Sequence, residues 1–196
     1  MLLALLVMVC GFVISSSEPE GVPTVAAATV TPTTPDVLNS VMPDFSNDEE
    51  AFYRAQLWLA RCIYSETKRS QEQELVAWVV RNRVETRYRG ESTYSRVVMD
   101  PFQFSAFNRQ SPYRAFLLSI DTTFTDPGWQ RALEIAGKVI MAEPGSRPFP
   151  INTRHFYSER SLGDYEIPLW SIEQEPISLH PYKIDLRRFR FYAGVS

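Results

Sequence analysis

Glu66 directly follows the stretch Ile63-Tyr64-Ser65, and a short polar break separates it from a second apolar run. A carboxyl group half-buried among apolar and aromatic neighbours has its pKa raised and keeps its proton near neutral pH. Such an acid can protonate the bridging oxygen of an acetal, the step that opens glycosidic-bond cleavage. Helical spacing puts Trp58 and Cys62, eight and four residues earlier, on the same face as Glu66. Glu72 and Glu74 fall in the first turn of the next helix, where the helix dipole favours the ionised form. On spacing alone the plainer reading of Glu66, a solvated carboxylate at a helix end, has the stronger claim.

Other chemistries find less support. Cys62 with His155 would make a thiol nucleophile and base for cleaving wall peptides, but a reactive thiolate needs an exposed, electropositive setting. Cys62 lies on the apolar side of its helix, where a free cysteine behaves as a small hydrophobe. The two histidines, His155 and His180, stand twenty-five residues apart with no HExxH pattern, a poor ligand set, so no metal is expected. No cofactor is expected either. The arginines are scattered and no base-reading motif occurs, which argues against nucleic acid. Gln103 and Ser105, just after Pro101-Phe102, have side chains suited to sugar amides and hydroxyls, and equally to capping a turn. His155, flanked by Phe156 and Tyr157, is a candidate groove residue. Trp58, Trp78 and Trp129 recur at helical spacing and read as core. Asn82 reads as a loop anchor, and Arg83 as a residue of similar structural role.

These residues sit on a recognisable succession of elements. Residues 1–15 open with MLLALLVMVCGFVI, too short for an ordinary membrane span and suited to a signal peptide or anchor. Cys10 lies within that run, so Cys62 has no disulfide partner in the domain. Residues 16–46, rich in Pro, Thr, Ala and Ser, read as a disordered linker. The catalytic domain is expected over 47–196, exported and outside the cytoplasm, touching membrane only through the N-terminal segment, and monomeric. The first 48 residues hold five acidic groups and no Lys or Arg. Removing those five from the chain's 23 acids leaves 18 against 20 basic groups, a mildly cationic domain suited to an anionic wall.

Within the domain, Ser46 to Glu49 fits a capping box, followed by Phe52, Ala55, Leu59, Cys62 and Ile63 at helical spacing. A second capping box, Ser70 to Gln73, is expected to open a helix burying Leu75, Val76, Val79, Val80 and Val84. Shorter helices are predicted over 93–99 and over 112–120, the latter with Ser111 as N-cap and Pro112 at its first position. A longer one begins at Asp126-Pro127 and runs through Ile140. The tail reads as extended, with a short hairpin. The fold class is therefore mainly α (α+β), a single helical domain with a small strand region.

The stretch LARCIYSETKRSQEQELVAWVVRNRVETRY, continued by STYSRVVMDPFQFSAFN, resembles the SleB-type cell-wall hydrolases, the spore-cortex-lytic enzymes and their relatives. Ala60-Arg61, Tyr64-Ser65-Glu66, Asn82-Arg83-Val84, Val97-Val98 and Gln103-Phe104-Ser105 occur in that family's order. Thr153 to Tyr157 and Ile167 to Trp170 echo its later segments. Ser65 replaces the glycine before the family's first Glu, and Arg69 and Ser70 replace its second Gly and Glu. The resemblance covers roughly residues 55–195. It implies a lysozyme-like or lytic-transglycosylase-like fold, peptidoglycan glycan strands as substrate, and Glu66 as the catalytic acid. The matched segments make Tyr64, Gln103, Phe104, Ser105, His155 and Tyr157 candidate substrate contacts. Glu85, Glu91 and Asp100 are available as a second carboxylate, and nothing in the sequence singles one out. A single acid favours lytic transglycosylase chemistry over a hydrolytic muramidase. The competing expectation is a noncatalytic wall-binding or morphogenetic domain.

Overall fold

The computed structural model describes residues 47–162 and 167–195. The expected signal segment, the linker and Ser46 of the first capping box lie outside them.

The first helix, α1 (Asn47–Glu66), carries Asp48, Glu49 and Glu50 in its first turn, where the N-terminal dipole favours them. Its inner face buries Leu59, Ala60, Cys62 and Ile63. Next comes α2 (Ser70–Glu85), whose residues from Leu75 to Val80 are all buried. Six consecutive buried residues leave this stretch no solvent face, which makes the helix central: it packs against α1, α5 (Pro127–Met141), α3 (Tyr94–Met99) and β1 (Thr153–Tyr157). The long α5 (Pro127–Met141) is amphipathic. It buries Trp129, Ala132, Leu133, Ala136 and Val139, and opens with Asp126 accepting from the Trp129 N–H and Pro127 at the first turn. Gly137 lets α1 approach α5 closely: a Cβ there would sit 2.8 Å from Gln56 Nε2. That amide donates across the helix pair to the Leu133 carbonyl at 2.9 Å.

Smaller elements surround this core. The helix α3 (Tyr94–Met99) is capped by Thr93, whose hydroxyl accepts from the Arg96 N–H. Helix α4 spans Arg114–Ser119, α6 Glu159–Leu162 and α7 Leu169–Ile172. Strands β1 (Thr153–Tyr157) and β2 (Arg190–Ala193) pair antiparallel, with His155 opposite Tyr192.

Three expectations need correction. The capping box at Ser70 does not form: Arg69 is the N-cap residue with no side-chain cap, and Gln73 is buried, its amide donating to the Thr67 carbonyl at 2.9 Å. α4 is shorter than 112–120, because Ser111 accepts from the Tyr113 N–H in a turn that precedes the helix. The strands form no hairpin, since the chain from Ser158 to Phe189 lies between them. Asn82 does anchor a loop: it donates to the Thr153 and Pro150 carbonyls at 2.9 and 3.3 Å and accepts from Arg147 Nε at 2.8 Å.

Candidate active site

Glu66 closes α1 with its side chain turned inward, and the residue is only 9% exposed. Burial raises its pKa to about 7, and the nearby Arg83 guanidinium limits the rise. Glu66 is thus poised between acid and base near neutrality, as proton transfer in both directions requires. Cys62, one turn earlier on the same face, is fully buried, and its thiol is pushed well up by burial and then by Glu66. A thiol so held is inert. In a Cys10→Ser chain, folded protein is expected to resist aromatic disulfide reagents and to release one equivalent of chromophore from Cys62 only after unfolding in guanidinium, read by absorbance.

Arg83 organises what surrounds the acid. Its Nε donates to the Arg154 carbonyl at 2.8 Å, the structural role expected of it. Its guanidinium also lies over the rings of Tyr88 and Phe104, at 5.5 and 5.2 Å from their centroids, and its Nη1 is buried with no hydrogen-bond partner among the described residues. Tyr88 carries the cluster to β1 through a 2.9 Å hydrogen bond between its hydroxyl and His155 Nε2. The His155 ring stands edge-on to Tyr88 and 5.2 Å from Trp170. Burial first, and then Arg83 and Arg154, lower the His155 pKa to about 3, so the imidazole is neutral at physiological pH. It can orient Tyr88 or a ligand, but it is too weak a base to deprotonate a hydroxyl. Tyr88 and Arg83 were not among the expected substrate contacts.

The expected residues divide into two groups. The Arg83 guanidinium lies over the Phe104 ring and its charge reaches both Glu66 and His155, while Gln103 and Ser105 flank Phe104 in the chain, half-buried. Phe104 itself is 2% exposed and packs on Phe156, so it shapes the core beneath Arg83 rather than touching a ligand. Tyr157 is 3% exposed, stacked on Tyr192 and edge-on to Trp170. It shares the His155 face of β1 and holds Trp170 in place, with no free surface for a sugar. Tyr64 lies apart. Two residues turn a helix by about 200°, which points Tyr64 at α5, where it meets Trp129 edge-on and bonds to Asp126.

Of the possible second carboxylates, Asp100 alone shares Arg83 with Glu66, and it is paired with Arg89 at 2.7 Å. Glu85 is engaged by Arg81 and Arg147, and Glu91 pairs with Arg96. Two concavities, of about 340 and 460 Å³, open elsewhere, beside the N-terminal half of α2, and neither includes Glu66. Shape alone would favour them. Their chemistry does not, because Glu74 accepts from the Tyr182 hydroxyl and Glu134 is held ionised by Lys138. Glu134 therefore has no proton to give at neutral pH, whereas Glu66 has. Compared against protein-family models, curated proteins and solved structures, the chain matches none.

Proposed function

We propose that this protein cleaves the glycan strands of peptidoglycan with Glu66 as general acid and base, on a lysozyme-like helical domain exported from the cytoplasm. One observation carries the reading: a buried carboxyl at the end of an apolar helix, its pKa lifted to about 7, beside a single buried guanidinium. The resemblance of residues 55–195 to SleB-type hydrolases supplies the substrate class. Protonated Glu66 donates to the glycosidic oxygen as the bond breaks. The resulting carboxylate, supported by the Arg83 charge, then takes the proton from the muramic acid 6-hydroxyl as that oxygen attacks its own anomeric carbon. An anhydro-muramic end is the product; the proton from Glu66 stays on the released hydroxyl, and the 6-hydroxyl proton restores the acid. No cofactor enters this sequence.

Asp100 supports a second outcome. This carboxylate, which shares the Arg83 charge with Glu66, would activate water instead, giving a hydrolytic muramidase. Digestion of purified peptidoglycan followed by mass spectrometry separates the two. Anhydro ends are expected from wild type, whereas hydrated reducing ends alone, lost in Asp100→Asn, would transfer the second step to Asp100. Protein that pellets with peptidoglycan but releases no muropeptide would be a noncatalytic wall-binding domain.

A further inference from the structure

Phe102 is a bulky residue held where glycine belongs. Its φ is +66°, in the left-handed region that a large side chain avoids, and the residue is 49% exposed. Core packing does not account for a ring that is half in solvent, so the backbone strain has no return within the fold. The conformation is nevertheless imposed from several sides. The Phe102 N–H donates to Asn108 Oδ1 at 3.1 Å, and the Gln103 N–H donates to the Asp100 carbonyl at 3.1 Å. Two residues to either side, Phe104 lies under the Arg83 guanidinium and Asp100 is within reach of its charge. Arg89 ties the turn to a second left-handed segment, in which Arg87, Arg89 and Gly90 have φ of 49°, 56° and 85°. Between them stands Tyr88, hydrogen-bonded to His155. Strain that the surroundings over-determine tends to collect at sites that act on a ligand.

We propose that Phe102 is a sugar-stacking residue at the rim of the Glu66 site, a specificity determinant for glycan strands; the proposal rests on the function given above. The turn sets Phe102 two residues from Phe104, over whose ring the Arg83 guanidinium lies, and two from Asp100, which that charge reaches. Pyranoses with equatorial substituents present flat C–H faces, and an exposed aromatic ring offers such a face a large apolar partner. The amino-sugar units of peptidoglycan have that shape.

The test uses Glu66→Gln protein, so that binding to insoluble peptidoglycan is measured without turnover. Adding Phe102→Ala or Phe102→Gly is expected to weaken pelleting about tenfold, and Phe102→Trp to restore it. Phe102→Gly should also raise the melting temperature by roughly a few degrees, since glycine adopts the left-handed backbone freely. Binding within twofold of the parent in the Ala and Gly variants overturns the proposal. So does a Phe102→Gly variant that melts lower, which would make the residue structural, and so does a parent that fails to pellet. Phe102-dependent pelleting by a wild-type protein that releases no muropeptide would leave the stacking role standing and refute the catalytic reading alone.

Discussion

Glu66→Gln is expected to lose glycan cleavage by about a thousandfold or more while melting higher than wild type at pH 8. The substitution is nearly isosteric and removes the transferable proton, so chemistry stops with the cluster around Arg83 in place. The gain in stability follows from linkage. A carboxyl whose folded pKa is raised from 4.5 to about 7 contributes nothing adverse below pH 4.5, where both states are protonated. Between 4.5 and 7 the unfolded chain gives up its proton and the folded one keeps it, so stability falls as pH rises. Above pH 7 the full penalty of burying the charge applies, up to about 3 kcal/mol. Glutamine has no such penalty, and a gain of order 5–10 °C at pH 8 is expected, vanishing at pH 4. Melting curves of both proteins across that range check it; parallel curves would mean that the Glu66 carboxyl is hydrated. His155 acts in the opposite sense. With its folded pKa lowered to about 3, its contribution is complete above pH 6.5 and is lost as pH falls toward 3. Acid lability below pH 6.5 should therefore persist in Glu66→Gln.

How much of this could be read from the sequence depends on whether the deciding contact is local. The limits of α1 and α5 follow from apolar periodicity and, for α5, from Asp126-Pro127, whose cap forms as the residue types dictate. Spacing to Trp58 and Cys62 allows an inward Glu66 but equally allows a solvated helix end; its burial decides. The start of α2 was misread because Ser70 to Gln73 has the composition of a capping box, while a longer-range demand takes Gln73 inward to Thr67. Tyr64 was misplaced because proximity in a motif differs from proximity on a helix face. Tyr88 gave no signal: its importance depends on His155, sixty-seven residues later, and on a strand pairing that closes only at Arg190–Ala193. Phe104 and Tyr157 illustrate the same limit. Aromatic residues beside a site read as ligand contacts until burial shows which ones support the site from behind.

The closing of that distant strand leads to the second large effect. Glu72, at 1% exposure, lies one turn into α2 and was expected to be an ordinary first-turn carboxylate. Instead the Thr67 hydroxyl donates to it at 2.5 Å, and Arg188 grips both its oxygens, Nε at 2.8 Å and Nη2 at 3.1 Å. Arg188 directly precedes Phe189, whose ring packs on Phe156 and Phe191, and so helps bring β2 alongside β1 and His155. Removing one member of a buried, hydrogen-bonded pair costs about 3–5 kcal/mol. Because Arg188 retains some contact with water, Glu72→Ala is expected near about 3 kcal/mol, a drop of order 6–12 °C in melting temperature. Arg188→Met in the same chain should recover part of it, since the stranded cation is then gone. The most telling comparison needs only the isosteric change at both positions. At pH 8, Glu66→Gln should stabilise and Glu72→Gln destabilise, although the two carboxyls are six residues apart and both buried. The difference is that Glu72 has its oxygens matched by Thr67 and Arg188, whereas burial without such donors is what lets Glu66 keep a proton near neutrality.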